Sequence, residues 1–102
     1  MGNNCDGQVD EGFCPNVTNL SARAKLTKVS LLWTHVGADS YNVYRKTNGG
    51  VYELIANTTS TYSTYLDAGV TIGTTYYYMV KSVCQGVEGG ASNEVTITPA
   101  AR

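Results

Sequence analysis

Residues 73–84, Gly-Thr-Thr-Tyr-Tyr-Tyr-Met-Val-Lys-Ser-Val-Cys, constrain the fold more than any other stretch. The run is crowded with β-branched and aromatic residues, the types that favour a pleated, half-buried surface over a helix. Side chains alternate across a strand. Tyr76, Tyr78, Val80, Ser82 and Cys84 therefore share one face, and Tyr77, Met79, Lys81 and Val83 share the other. A strand apolar on both faces belongs at the centre of a sheet, covered on at least one side.

The rest of the chain supplies the neighbours of that strand. From Val17 onward, short alternating segments are separated by turn residues. Leu20, Ala22 and Ala24 point inward in the first, with Ser21, Arg23 and Lys25 outward. The outward cations protect an edge against pairing with other chains. Val29, Leu31 and Trp33 point inward in the second, and a turn follows over residues 35–39. Residues 40–46 form the third strand, with Tyr41 and Val43 inward. Asn48-Gly49-Gly50 then marks a hairpin, because Asn and Gly tolerate positive φ. Residues 51–56 are a short strand, 57–61 a loop and 62–66 a fifth strand. The Tyr-rich strand is sixth, residues 86–90 are a glycine-rich turn, and residues 93–98 form the last strand before Pro99. Seven short strands at roughly ten-residue spacing, with no helical period, predict an all-β, seven-stranded antiparallel sandwich of immunoglobulin-like type.

Size and charge narrow the function classes. A chain of 102 residues holds one two-layer core. With a net charge of −1 and 15% charged residues, it carries no nucleic-acid footprint. No apolar run approaches the length of a membrane span. Gly2-Asn3-Asn4 after Met1 is not a signal peptide, so the chain is either cytosolic or a trimmed piece of a secreted protein. Abundant Thr, Ser, Asn and Gly favour the second, a secreted or cell-surface location. Three cysteines fit an oxidising compartment with one disulfide and one leftover thiol. Three reduced thiols in a cytosolic protein are the alternative.

Catalytic motifs are poor. His35, Asp39 and Ser40 are the residue types of a hydrolase triad, but they crowd into one turn where neighbouring side chains diverge. Asn16-Val17-Thr18, Asn19-Leu20-Ser21 and Asn57-Thr58-Thr59 match the N-glycosylation pattern, which also arises by chance in Thr- and Asn-rich chains.

Over residues 15–99 the chain resembles a fibronectin type III domain. The markers are Trp33 in the second strand, Tyr41-Asn42-Val43-Tyr44-Arg45 in the third, Tyr65-Leu66-Asp67 closing the fifth, Gly73-Thr74-Thr75-Tyr76, and Ser92-Asn93-Glu94-Val95 before Pro99. The resemblance implies a tyrosine corner at Tyr76, its hydroxyl bonded to backbone within residues 69–72. The third-strand form is similar to domains of secreted microbial enzymes and surface proteins. No Arg-Gly-Asp tripeptide suggests integrin binding. Residues 15–102 are thus assigned to this domain and residues 1–14 to a separate linker.

The linker resembles the aspartate-rich calcium repeats of microbial surface proteins and thrombospondin-type modules. The resemblance implies calcium held by side chains of Asn4 and Asp6, the carbonyl of Gln8, and a carboxylate of Asp10 or Glu11. The first ligand falls at Gly2, which supplies no side chain, as though the loop were cut through. An ordinary polar linker is the alternative.

Two disulfide pairings are open. In an aligned sandwich the first strand begins at the pole where the sixth ends, which favours Cys14 with Cys84. Cys5 with Cys14 would instead clip the linker onto itself across a shorter loop.

The expected role is that of a non-catalytic structural, spacer or adhesion module of a larger secreted or cell-surface protein, with neighbouring domains as partners and a calcium-stiffened joint. The rival is a polysaccharide- or protein-binding module that uses Tyr44, Tyr77 and Met79 on the outer sheet face.

Overall fold

A computed structural model describes residues 16–59 and 63–100. The described residues form eight strands: β1 (Thr18–Lys25), β2 (Lys28–Thr34), β3 (Ser40–Thr47), β4 (Glu53–Thr59), β5 (Thr64–Asp67), β6 (Tyr76–Cys84), β7 (Val87–Ala91) and β8 (Val95–Ile97). β1, β2 and β5 make one antiparallel sheet in the order β1-β2-β5. The second sheet runs β4-β3-β6-β7, with β8 also pairing with β6. As expected, the Tyr-rich strand is interior. It pairs with the whole of β3, from Ser40 opposite Val83 to Thr47 opposite Tyr76.

The count differs from the seven strands expected, and the reason lies after Cys84. Gln85 and Gly86 both adopt positive φ, 53° and 78°, the backbone that suits a two-residue hairpin loop. Cys84 therefore pairs directly with Val87, and most of the expected turn 86–90 is strand β7. β7 and β8 are parted at Ser92, whose N–H donates to the Val80 carbonyl at 2.8 Å. Its Oγ accepts the Val80 N–H at 3.0 Å, so one residue replaces the ladder while the chain bends. Residues 57–59 extend β4 where a loop was expected, and β5 starts at Thr64 rather than at residue 62.

The predicted inward faces meet between the sheets. Val29, Leu31 and Trp33 of β2, Tyr41 and Val43 of β3, and Tyr76, Tyr78 and Val80 of β6 are all buried, with Leu20 from β1. Ala22, Ala24 and Cys84 are half-buried against this core. Two side-chain devices fasten the layers. The amide of Asn93 mimics a peptide group toward edge strand β1, accepting the Leu20 N–H and donating to the Leu20 carbonyl, both at 3.0 Å. At the opposite pole, Asp67 of the small sheet is buried. Its Oδ2 accepts Tyr78 Oη at 2.6 Å and Arg45 Nη1 at 2.8 Å from the large sheet, and its Oδ1 accepts the Gly69 N–H at 3.0 Å.

The tyrosine corner is present. The Thr71 N–H donates to Tyr76 Oη at 2.8 Å. Tyr76→Phe is expected to cost about 0.5–1.5 kcal/mol, the net value of one hydrogen bond, while Tyr77→Phe on the outer face is nearly neutral. Equal losses in urea melts would contradict this assignment of the two faces.

Candidate functional site

The outer face of the five-stranded sheet carries the three side chains proposed from sequence as a binding surface. Tyr44 stands opposite Met79, and Tyr77 opposite Lys46. Tyr44, Tyr77 and Met79 are all half-buried, so the structure brings them together on one surface. Around them lies a polar network that periodicity did not reveal.

Glu88 on β7 is its hub. Its carboxylate accepts the Tyr44 hydroxyl and Asn42 Nδ2 at 2.9 Å, and Lys81 Nζ lies 3.6 Å from its other oxygen. Lys81 also sits over the Tyr44 ring, 5.2 Å from the centroid. Toward the other pole, Lys46 Nζ lies between the rings of Tyr52 and Tyr77, at 5.0 and 5.2 Å, and the Tyr52 hydroxyl donates to Glu94. Glu88 was hidden because residues 86–90 were expected to be a turn, which has no faces. The alternation Tyr44-Arg45-Lys46 did place Lys46 beside Tyr44, and that was the available signal.

Electrostatics keep the network in one protonation state near neutral pH. The hydrogen bond to Glu88 raises the Tyr44 hydroxyl above the usual tyrosine value, with burial and the carboxylate charge adding to it. Burial, then the bond to Glu94, raises Tyr52. Burial alone would raise Glu88, but hydrogen bonds from Tyr44 and Asn42 and the Lys81 charge hold it below the usual carboxylate value. The hydroxyls stay protonated and the carboxylate ionised. Three tyrosine rings, Tyr44, Tyr52 and Tyr77, already carry an ammonium group, so a sugar or protein stacking on that side would have to displace it.

The crowded triad types each bond elsewhere. His35 Nδ1 lies 2.6 Å from Tyr41 Oη, Asp39 Oδ2 accepts the Gln85 N–H at 2.7 Å, and Ser40 Oγ accepts Asn57 Nδ2 at 3.2 Å. No group of three His, Cys, Asp or Glu side chains comes together to hold a metal among the described residues. The calcium candidates Asn4, Asp6, Gln8, Asp10 and Glu11, and Cys5 and Cys14, lie outside those residues. No helix among the described residues is long and apolar enough to cross a membrane.

No family model matches the sequence. A solved Fn3-like protein from Clostridium thermocellum is 39% identical and superposes with a TM-score of 0.73, covering 81% of this chain and 90% of that one. The chain belongs to the fibronectin type III-like family. This Fn3-like domain is also 46% identical over 87 residues to an amylopullulanase of Thermoanaerobacter thermohydrosulfuricus; the match covers 82% of the chain and spans 6% of that protein's length. A pectate lyase from Erwinia chrysanthemi, solved in complex with tetragalacturonic acid, shares 28% identity and a TM-score of 0.70, covering 80% of the domain and 28% of that chain. The Fn3-like domain therefore corresponds to a short segment within much longer enzymes.

Proposed function

We propose that the chain is a non-catalytic module of a larger, secreted polysaccharide-degrading enzyme, in which it holds neighbouring domains at a fixed spacing. The observation that carries this is the 46% identity to a segment making up 6% of an amylopullulanase. A sandwich whose sheets are tied by Asp67 suits a spacer, because a stiff body between domains removes their relative freedom. The N-terminal joint is stiffened by calcium on Asn4, Asp6, Gln8, Asp10 and Glu11, and by a Cys14–Cys84 disulfide. Cys84 at the end of β6 packs against the core, at the pole where β1 begins.

A second role is favoured by one specific observation, the grouping of Tyr44, Tyr77 and Met79 on one face. As a polysaccharide-binding surface, that face would need Lys46 and Lys81 to swing off the rings. The two roles separate in affinity electrophoresis through soluble starch and through pullulan, run in calcium and in chelator. A spacer migrates unretarded and releases no reducing ends. Retardation lost in Tyr77→Ala would establish the binding surface, and release of reducing ends would overturn the non-catalytic assignment. The joint itself predicts a higher melting temperature in calcium, by ligand linkage. That gain should be abolished by Asp6→Ala or Asp10→Ala; identical unfolding in calcium and chelator would sink the site.

A further inference from the structure

Asn48 and Gly49 form the tip of the β3–β4 hairpin, and both are exposed. The Gly50 N–H donates to the Thr47 carbonyl at 2.9 Å, which makes residues 47–50 a β-turn. Gly49 stands third in it with φ of 82°, a backbone that suits glycine. The turn's own bond leaves the Gly49 N–H unused. Neither that N–H nor Asn48 Nδ2 has a hydrogen-bond partner among the described residues. Of the Asn48 amide only Oδ1 is held, by the Tyr77 hydroxyl at 3.5 Å. A Cβ built on residue 49 would meet no heavy atom within 4 Å, so the tip is open to water on that side.

The other described asparagines lack this combination. Asn42 Nδ2 donates to Glu88 at 2.9 Å, and Asn57 Nδ2 to Asn42 Oδ1 at 2.8 Å. Asn93 is tied to the Leu20 backbone and Asn19 to Thr34 Oγ1. The Asn16 amide packs against Gly90. Each is also followed by a residue with a side chain, which crowds the next backbone nitrogen: Val17, Leu20, Val43, Thr58 and Glu94. Asn48 is followed by glycine.

We propose that Asn48 is a site of spontaneous covalent modification, by which the folded domain gains a negative charge at the edge of its tyrosine face. The Gly49 nitrogen gives up its proton to hydroxide or water and attacks Asn48 Cγ. The new C–N bond closes a succinimide ring, and the Cγ–Nδ2 bond breaks to release ammonia. Water then adds to one of the two ring carbonyls and breaks the C–N bond at that carbon. Opening at Cγ leaves aspartate; opening at the main-chain carbonyl leaves isoaspartate, with the chain running through the former side chain. The carboxylate appears where the Asn48 amide now meets Tyr77, two residues from Lys46. Lys46 Nζ lies 5.0 and 5.2 Å from the Tyr52 and Tyr77 ring centroids. A carboxylate so near competes with both rings for the ammonium and draws it off them. Resting on the reading of this face as a polysaccharide-binding surface, the modification would clear two of the rings on which a sugar stacks.

Peptide mapping by mass spectrometry of the full 102-residue chain, held at mildly alkaline pH below its melting temperature and in parallel in urea, tests the site. In the native chain the peptide carrying Asn48 should convert to aspartate and isoaspartate forms ahead of the peptides carrying Asn42, Asn57 and Asn93. Conversion should quicken as pH rises, and Asn48→Gln should abolish it. Conversion confined to the urea sample, or native conversion no faster at Asn48 than at Asn42 or Asn57, would overturn the proposal. The charge effect is read separately by NMR of Asn48→Asp, in which the Lys46 ε-methylene protons should lose the upfield shift that the tyrosine rings impose in the parent. An unchanged shift would overturn the displacement of Lys46. Neither readout uses starch or pullulan, so failure of this site and failure of the binding surface are told apart.

Discussion

Replacing Trp33 with alanine should lower the stability of the domain by about 3–5 kcal/mol, the range for removing a large buried aromatic side chain. Trp33 is 3% exposed and meets the Tyr41 ring edge-on, with centroids 5.5 Å apart and planes at 63°. Tyr41 is fully buried and anchors the turn that precedes its strand, its hydroxyl accepting the Val36 N–H at 2.8 Å. Removing the indole therefore opens a cavity and also frees the ring that positions residues 35–36. Domains of this kind have a total stability of about 5–15 kcal/mol, so the variant should approach its unfolding midpoint at moderate temperature. Trp33→Phe keeps the aromatic contact and should recover part of the loss. Urea melts followed by circular dichroism measure both; a loss below about 1 kcal/mol for Trp33→Ala would place Trp33 outside the cooperative core.

The second large effect is expected at Asp67. Its carboxylate lies between the sheets and satisfies Tyr78, Arg45 and the Gly69 N–H together. Asp67→Ala strands a guanidinium and a hydroxyl and should cost about 2–4 kcal/mol. The figure stays below that for a fully buried pair because the Arg45 side chain is 26% exposed and water recovers part of its solvation. pH supplies an independent check. Burial by itself would raise Asp67, but the bonds from Tyr78, Arg45 and the Gly69 N–H, with the Arg45 charge, bring it below the ordinary aspartate value. A carboxylate depressed in the folded state contributes its stability in full above the unfolded pKa, about 3.9. That contribution is lost as pH falls through the lower folded value. The stability difference between parent and Asp67→Ala should hold constant at neutral pH and narrow below about pH 4. A difference unchanged down to about pH 2 would show that the carboxylate is not what ties the sheets.

Local sequence was most legible where burial and periodicity agreed. The inward series of β2, β3 and β6 were readable because a one-residue slip would turn every apolar side chain to water. The Tyr76 corner followed from the family resemblance and was found within the expected backbone. Legibility failed where a glycine cluster stood for a turn. Gln85 and Gly86 alone reverse the chain, so Glu88, inside the expected turn 86–90, landed on a strand face and became the hub of the outer network. Ser92 shows the same limit, because a side chain standing in for a ladder hydrogen bond leaves no periodic trace.

The sequence by itself therefore determined the fold class, the central strand and the two-sided character of each strand, because these depend on neighbours two residues apart. Only the tertiary structure decided which charges meet. Arg45 and Asp67 are twenty-two residues apart, Asn42 and Glu88 forty-six, and Leu20 and Asn93 seventy-three. Such pairs are set by strand order and register, and those are fixed by the packing of two sheets against each other rather than by any local pattern. The same physics places Arg23, Lys25 and Lys28 together on one outer face: each alternates outward within its own strand, and the β1–β2 register gathers them beside exposed leucines.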